Sequence, residues 1–441
     1  MIQREKRRAI MKLALPIIGG MASQNVLNLV DTLMIGQIGA EALAAVGLGS
    51  FVNFLTSAFV LGLSSGVQAL SARRVGEGRE HEAAEPLTAG MTLAVAFALP
   101  WSLALILAAP YFFPWLNHDA QVVAMGVPYL QSRLAAMAPM GVNFVFRGYW
   151  NAVALPGFYL RTLLVMHAAN IFLNWLLIYG NWGFPAMGAT GGGLATAIAT
   201  YIGTGYYLIL GWRYARERGF CTQWPGRALF SSILRLSVPA GVQQTFFAGG
   251  MTTFVSLVGR IGTAELAATQ VLLTLVLVGI LPGLGFGLAA ASFVGQALGQ
   301  GSVAAAKAWG WDVSRLAMLV VGALSLPAVI APRLFLSGFL HEAEVLEIAV
   351  TPLRLIALML ATETVGFVLM HALQGAGDAR RTMWVSISLQ WFLFLPAVFL
   401  VGPRLRLGLT AVWLVHIVYR QIQSLVFAFL WQRGRWASIR L

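Results

Sequence analysis

Apolar runs, each long enough to cross a bilayer as a helix, follow one another along the chain with only short polar breaks between them. The hydrocarbon core needs about 20 helical residues. On that measure the runs predict spans over 10–37, 45–72, 88–110, 121–147, 158–180, 188–212, 230–259, 268–298, 310–332, 345–372, 382–402 and 408–432. Helices are the spanning form that satisfies every backbone group internally. The pattern therefore predicts an all-α, polytopic membrane protein of twelve transmembrane helices.

Composition agrees. Of 441 residues, 59% are hydrophobic and 10% charged, against roughly 25% charged in soluble domains. The formal net charge is +13, and its placement speaks for topology rather than for nucleic acid. With both termini inside, inner segments hold 22 of the 29 Lys and Arg, Arg440 among them, and outer segments hold Arg260, Arg333, Arg404 and Arg406. That bias orients the chain with its termini in the cytoplasm. The opening "MIQREKRRAIMK" runs into the first helix without a cleavage pattern, so that helix is expected to act as an uncleaved signal. The single Cys221, in a loop expected to be cytoplasmic, excludes an intrachain disulfide. None of the three lysines follows a glycine in a phosphate-binding loop, which excludes an ATP-driven pump. No nucleophile–base or HExxH arrangement points to an enzyme.

The chain repeats itself. "LALPIIGG" at Leu13–Gly20 parallels "LSVPAGVQ" at Leu236–Gln243, and "IGQIGAEALAA" at Ile35–Ala45 parallels "VGRIGTAELAA" at Val258–Ala268. The offset of 223 persists through Gly62 and Gly285, Gly76 and Gly299, Gly78 and Gly301, and on to His118–Asp119 against His341–Glu342. Two homologous six-helix halves are expected at 1–210 and 230–441, with a basic cytoplasmic linker at 211–229. Six is even, so the halves enter from the same side. Parallel repeats of this kind build transporters with a path between or within the lobes.

Few polar side chains lie deep in the apolar helices. Of 16 carboxylates, only Asp31 and Glu363 do, and intramembrane carboxylates mark function by default. Asp31 shares a helical stripe with Gln24 and Asn28. The fifth helix offers His167, Asn170 and Asn174, and the sixth offers Thr196, Thr200 and Thr204. A carboxylate held among amides can take and release a proton. Gln24, Asn28, Thr196 and Thr200 are expected to line a substrate cavity, together with flexible and aromatic Phe, Met, Trp and Tyr side chains. Glu363 can serve coupling, contact a cationic substrate, or pair with Arg420 of the stripe His416, Arg420, Gln423. The repeat partner of Glu363 is Met140 and that of Asp31 is Phe254, so the two acids are not copies of one site. Pro16 and Pro239 occupy equivalent places and are expected to kink their helices. His167, His371 and His416 lack metal-ligand spacing, and no metal site is expected.

The stretches "LPIIGGMASQNVLNLVDTLMIGQIGAEALAAVGLG", "GLSSGVQALSARRVGEG", "RGYWNAVALP", "LNWLLIYGNWGFPAMGATGGGLATAIA" and "HALQGAGDARR" resemble, in order, the multidrug and toxic compound extrusion (MATE) family, most closely its bacterial NorM-type branch. The resemblance implies two pseudo-symmetric six-helix lobes in a bacterial inner membrane. It also implies export of amphipathic, often cationic drugs in exchange for H⁺ or Na⁺, with no cofactor beyond that ion. It assigns Asp31 as the proton-linked acid, with Asn170 and Asn174 as its partners. Some members carry Asp where this chain has Asn174. NorM-type members carry an acid at the place of Gln374 and another at that of Phe247, and these departures favour H⁺ over Na⁺. A Na⁺-coupled exporter of the same fold and a lipid-linked oligosaccharide flippase are the alternatives; flippases usually have extra helices and cavity arginines. The expected partners are small molecules and membrane lipid, with no nucleic acid and no obligate protein.

Overall fold

The computed structural model describes residues 3–340, 342–439 and 441. His341 of the repeat and Arg440 of the basic inner set lie outside the described residues. Helices form where the apolar runs lie. They are α1 (Arg4–Gly36), α2 (Ala40–Leu61), α3 (Leu63–Gly76), α4 (Glu85–Leu116), α5 (Ala120–Ala135), α6 (Met137–Ala152), α7 (Gly157–Tyr179) and α8 (Gly188–Tyr214). After them come α9 (Arg227–Gly259), α10 (Thr263–Gly299), α11 (Val303–Ile330), α12 (Pro332–Ser337), α13 (Ala343–Gly375), α14 (Ala379–Ser388), α15 (Leu395–Phe399) and α16 (Leu409–Arg433). Two π-helical turns, at Leu389–Phe394 and Leu400–Arg404, flank α15. Pro396 and Pro403 cannot donate a backbone hydrogen bond there.

Among the described residues, ten rods are long and apolar enough to cross a membrane, with α2 and α3 counted as one. The other two predicted spans are also helical. Residues 121–147 form α5 and α6, of 16 residues each. They part at Ala136, because Pro139 has no N–H to give the Ala135 carbonyl. Residues 230–259 lie in α9, 33 residues long but diluted by Ser, Thr and Gln.

The repeat is visible in the helix ends. α1 stops at Gly36 and α9 at Gly259; α3 stops at Gly76 and α10 at Gly299; α6 stops at Ala152 and α13 at Gly375. Each pair keeps the 223 offset. The turns that follow contain Gly78 and Gly301, with φ of +75° and +73°, a region open to glycine because it has no Cβ.

Two compact units result, and each is described by itself. The first is Gly19–Gly241; the second is Met1–Ile18 with Val242–Leu441. The chain passes from one to the other inside α1 and α9, two residues after Pro16 and Pro239. These boundaries are 223 residues apart and cut each repeat at its opening helix, whereas the reading from the repeat places them at the 211–229 linker. The linker itself is ordered in the first unit. Ala84 donates its N–H to the Arg218 carbonyl at 2.8 Å, and Cys221 donates its N–H to Thr88 Oγ1 at 3.0 Å. Phe220 is buried against Phe146. The second unit packs around Phe254, Phe394, Trp413 and Tyr419.

Candidate functional site

The first unit gathers the polar stripes of α1, α7 and α8. Asn174 donates its amide to Asp31 Oδ1 at 2.6 Å. In the amide orientation that satisfies both its ends, Asn170 donates to Asp31 Oδ1 at 2.9 Å and accepts from Thr196 Oγ1 at 3.1 Å. Both asparagines are buried, each 1% exposed. Helical spacing explains the convergence: Asn170 and Asn174 are four apart on α7, so both point to one face. Among the described residues, no cation stands within ion-pair reach of Asp31. The carboxylate is held by neutral donors alone, with Arg133 acting on it through space.

A second, looser link extends the cluster. Gln24 donates to Asn28 Oδ1 at 3.1 Å, and His167 Nε2 lies 3.3 Å from Gln24 Oε1. Asn28 is exposed and His167 buried. Thr200 donates its hydroxyl to the Thr196 carbonyl at 2.7 Å rather than to the asparagines. It lines a small cleft with Thr196, Asn53, Arg133 and Met140. Asn53 and Arg133 are the residues that sequence reading missed. The signal for Arg133 was a basic residue inside the predicted span 121–147, and Asn53 carried none.

Glu363 is not part of this cluster. It lies on α13 in the second unit, where Arg420 Nε of α16 donates to its Oε1 at 2.6 Å. Of the three uses open to Glu363 from sequence, the structure realises the ion pair. The position equivalent to Asp31 is Phe254, which is fully buried and packs edge-on to Trp413 with a ring separation of 5.8 Å. His416 lies within the same aromatic box. The second unit thus has a greasy core where the first has its acid. At Gln374, where the sequence departs from the acid that the resemblance implies for NorM-type members, the amide donates to Gln243 Oε1 at 3.2 Å, and Gln243 donates to Ser386 Oγ at 3.0 Å. Among the described residues, no three His, Cys, Asp or Glu side chains gather to hold a metal ion.

The MatE family model matches residues 16–176 and 239–400, two stretches that begin at the equivalent Pro16 and Pro239. A probable multidrug resistance protein NorM of Synechococcus sp. is 30% identical over 93% of this chain and 90% of its own length. A namesake from Pseudomonas aeruginosa is 29% identical over 97% and 90%. Among solved structures, the outward-facing conformation of a multidrug resistance MATE family transporter superposes with a TM-score of 0.89 at 21% identity, covering 99% of this chain and 97% of that one. A MOP superfamily transporter from Pyrococcus furiosus gives 0.89 at 22%, covering 98% and 96%. The family match spans both repeats, and the chain belongs to the MatE family of multidrug efflux transporters, which are transporters and not enzymes.

Proposed function

We propose that this transporter exports amphipathic, mainly cationic compounds in exchange for protons, and that Asp31 carries the proton. One observation carries the reading: a partly buried carboxylate held by amides, with no cation among the described residues in contact to lock it in the charged form. An ionised Asp31 accepts hydrogen bonds from Asn174 and Asn170. A protonated Asp31 needs an acceptor for its O–H. Asn174 Oδ1 is buried without a partner, and a half-turn of that amide presents it to the acid. Asparagine serves either state because it is both donor and acceptor. An ionised Asp31 favours cationic cargo and a protonated one does not. Linkage then makes proton and cargo negatively coupled, and alternating access turns that coupling into antiport.

A Na⁺-coupled cycle fits less well. Na⁺ is a hard cation that seeks several oxygen ligands, carboxylates foremost. The place of the second-unit acid holds Gln374, already bonded to Gln243. The flippase reading is weaker still, since Asp31 rather than an arginine sits at the centre of the polar cluster. Purified transporter in proteoliposomes decides between the ions. Efflux of a cationic dye should follow an imposed pH gradient and ignore an imposed Na⁺ gradient; the opposite dependence would overturn the proton reading.

The cell context is a bacterial inner membrane with both termini cytoplasmic, as the basic inner segments argue. Cys221 is exposed, so it reports orientation. A membrane-impermeant maleimide should label it in inside-out vesicles and leave it unlabelled in intact spheroplasts. Labelling from outside would reverse the topology.

A further inference from the structure

The Glu363–Arg420 pair stands outside the proton machinery and needs its own account. Both side chains are more than nine-tenths buried. A buried ion pair adds little stability over an apolar one, because desolvation offsets the attraction. Nor does the duplicated scaffold require it. At the equivalent places in the first unit, 223 residues earlier, Met140 and Ala197 line the cleft, with no carboxylate beside them. The charge pair is an addition to one repeat.

Its two members are held unequally. Arg420 has several partners: it donates to Glu363 and to Gln423 Oε1, and it faces the Phe367 ring at 4.4 Å and the Tyr419 ring at 5.8 Å. The Glu363 carboxylate has Arg420 as its one side-chain partner among the described residues. The pair borders a narrow cleft that is also lined by Phe367, Met370, Gln423 and Phe427. The cleft has room for little more than a water molecule, so a cargo cation reaches Glu363 only by taking the place of the Arg420 guanidinium. If another cation took Glu363, Arg420 would keep its bond to Gln423 and its stacking on Phe367.

We propose that Glu363 is a binding site for the cationic head of an organic cargo molecule, and that Arg420 is its resident substitute, occupying the carboxylate when cargo is absent. Aromatic and methionine walls suit a cation with an apolar body. This rests on the reading that the transporter carries organic cations. It adds a second carboxylate, in the other unit, to the one assigned to the coupling proton.

The test is equilibrium binding of ethidium, a fluorescent organic monocation, to the purified full-length protein. Arg420→Gln removes the competitor and should tighten ethidium binding about tenfold. Glu363→Gln should weaken it about tenfold, and the double variant should match Glu363→Gln. Arg420→Gln leaves a buried carboxylate unpaired and risks misfolding. Glu363→Gln keeps a side-chain oxygen for Arg420 to donate to and leaves Arg420 its bond to Gln423, so it is the milder change, and the affinity of its folded form decides the matter alone if needed. Unchanged affinity in Glu363→Gln, or a folded Arg420→Gln that binds no more tightly than wild type, overturns the proposal. Wild-type protein that binds no ethidium would instead overturn the organic-cation reading itself.

Discussion

Replacing Asp31 with asparagine should abolish substrate-driven proton movement while leaving a folded protein. The amide copies the shape of the protonated acid, still accepts from Asn174 and Asn170, and removes a charge from a partly buried place. Thermal stability should be unchanged or slightly higher. Proton exchange should be lost altogether, because an amide does not titrate. In proteoliposomes carrying a pH-sensitive dye, wild-type protein should change the lumenal pH when a cationic substrate is added, and Asp31→Asn should not. Substrate binding should persist but lose its dependence on pH. A structural carboxylate predicts the reverse: a destabilised variant whose residual transport still responds to pH. A variant that still moves protons on addition of substrate would remove Asp31 from the coupling role, whatever its melting temperature.

The polar cluster around Asp31 was legible because helices convert spacing into faces. Asn170 and Asn174 are four apart, so their convergence needs only that α7 present that face to α1. The repeat was legible for a similar reason. Glycines that end helices sit at fixed offsets, and Gly36, Gly76 and their partners do end helices in the structure. What escaped was set by packing between distant segments. Arg420, 57 residues away, was named as a partner for Glu363, but polarity alone left three uses for that acid and no means to choose among them. The break at Ala136 interrupts a run that reads as one continuous span. The two compact units of packing part inside α1 and α9, a division that the repeat, read as two homologous halves, does not address. Which helix a segment packs against is decided by backbone approach, and apolar pattern is blind to that.

That backbone approach makes the second large prediction. In the first unit α3 begins beside the opening part of α9. A Cβ on Gly62 would lie 2.5 Å from both the Gly241 nitrogen and the Ser237 carbonyl oxygen, and one on Gly66 would lie 2.3 Å from Ser237 Oγ. Gly62 and Gly66 on one helix, and Ser237 and Gly241 on the other, are small residues four apart, the pattern that lets membrane helices touch through their backbones. Gly62 has ordinary helical angles, φ −61° and ψ −27°, so backbone strain favours neither residue. Helix propensity alone would make alanine better by about 1 kcal/mol. Sterics oppose it, and the atoms in the way are backbone that cannot rotate aside. Overpacking of this kind costs about 1–3 kcal/mol, which outweighs the propensity gain at the upper end of that range. Gly62→Ala should therefore lower the melting temperature of the purified transporter, by a few degrees for each kcal/mol of net loss. Two controls fix the cause. Gly47→Ala, where a Cβ meets nothing within 4 Å, should be neutral or slightly stabilising. Gly285→Ala, the repeat equivalent, meets mainly the Ile18 side chain, which can turn away, so it should cost less than Gly62→Ala. A Gly62→Ala protein that melts with wild type would show that α3 and α9 do not approach through their backbones. A loss of the same size in all three variants would assign it to something other than this crossing.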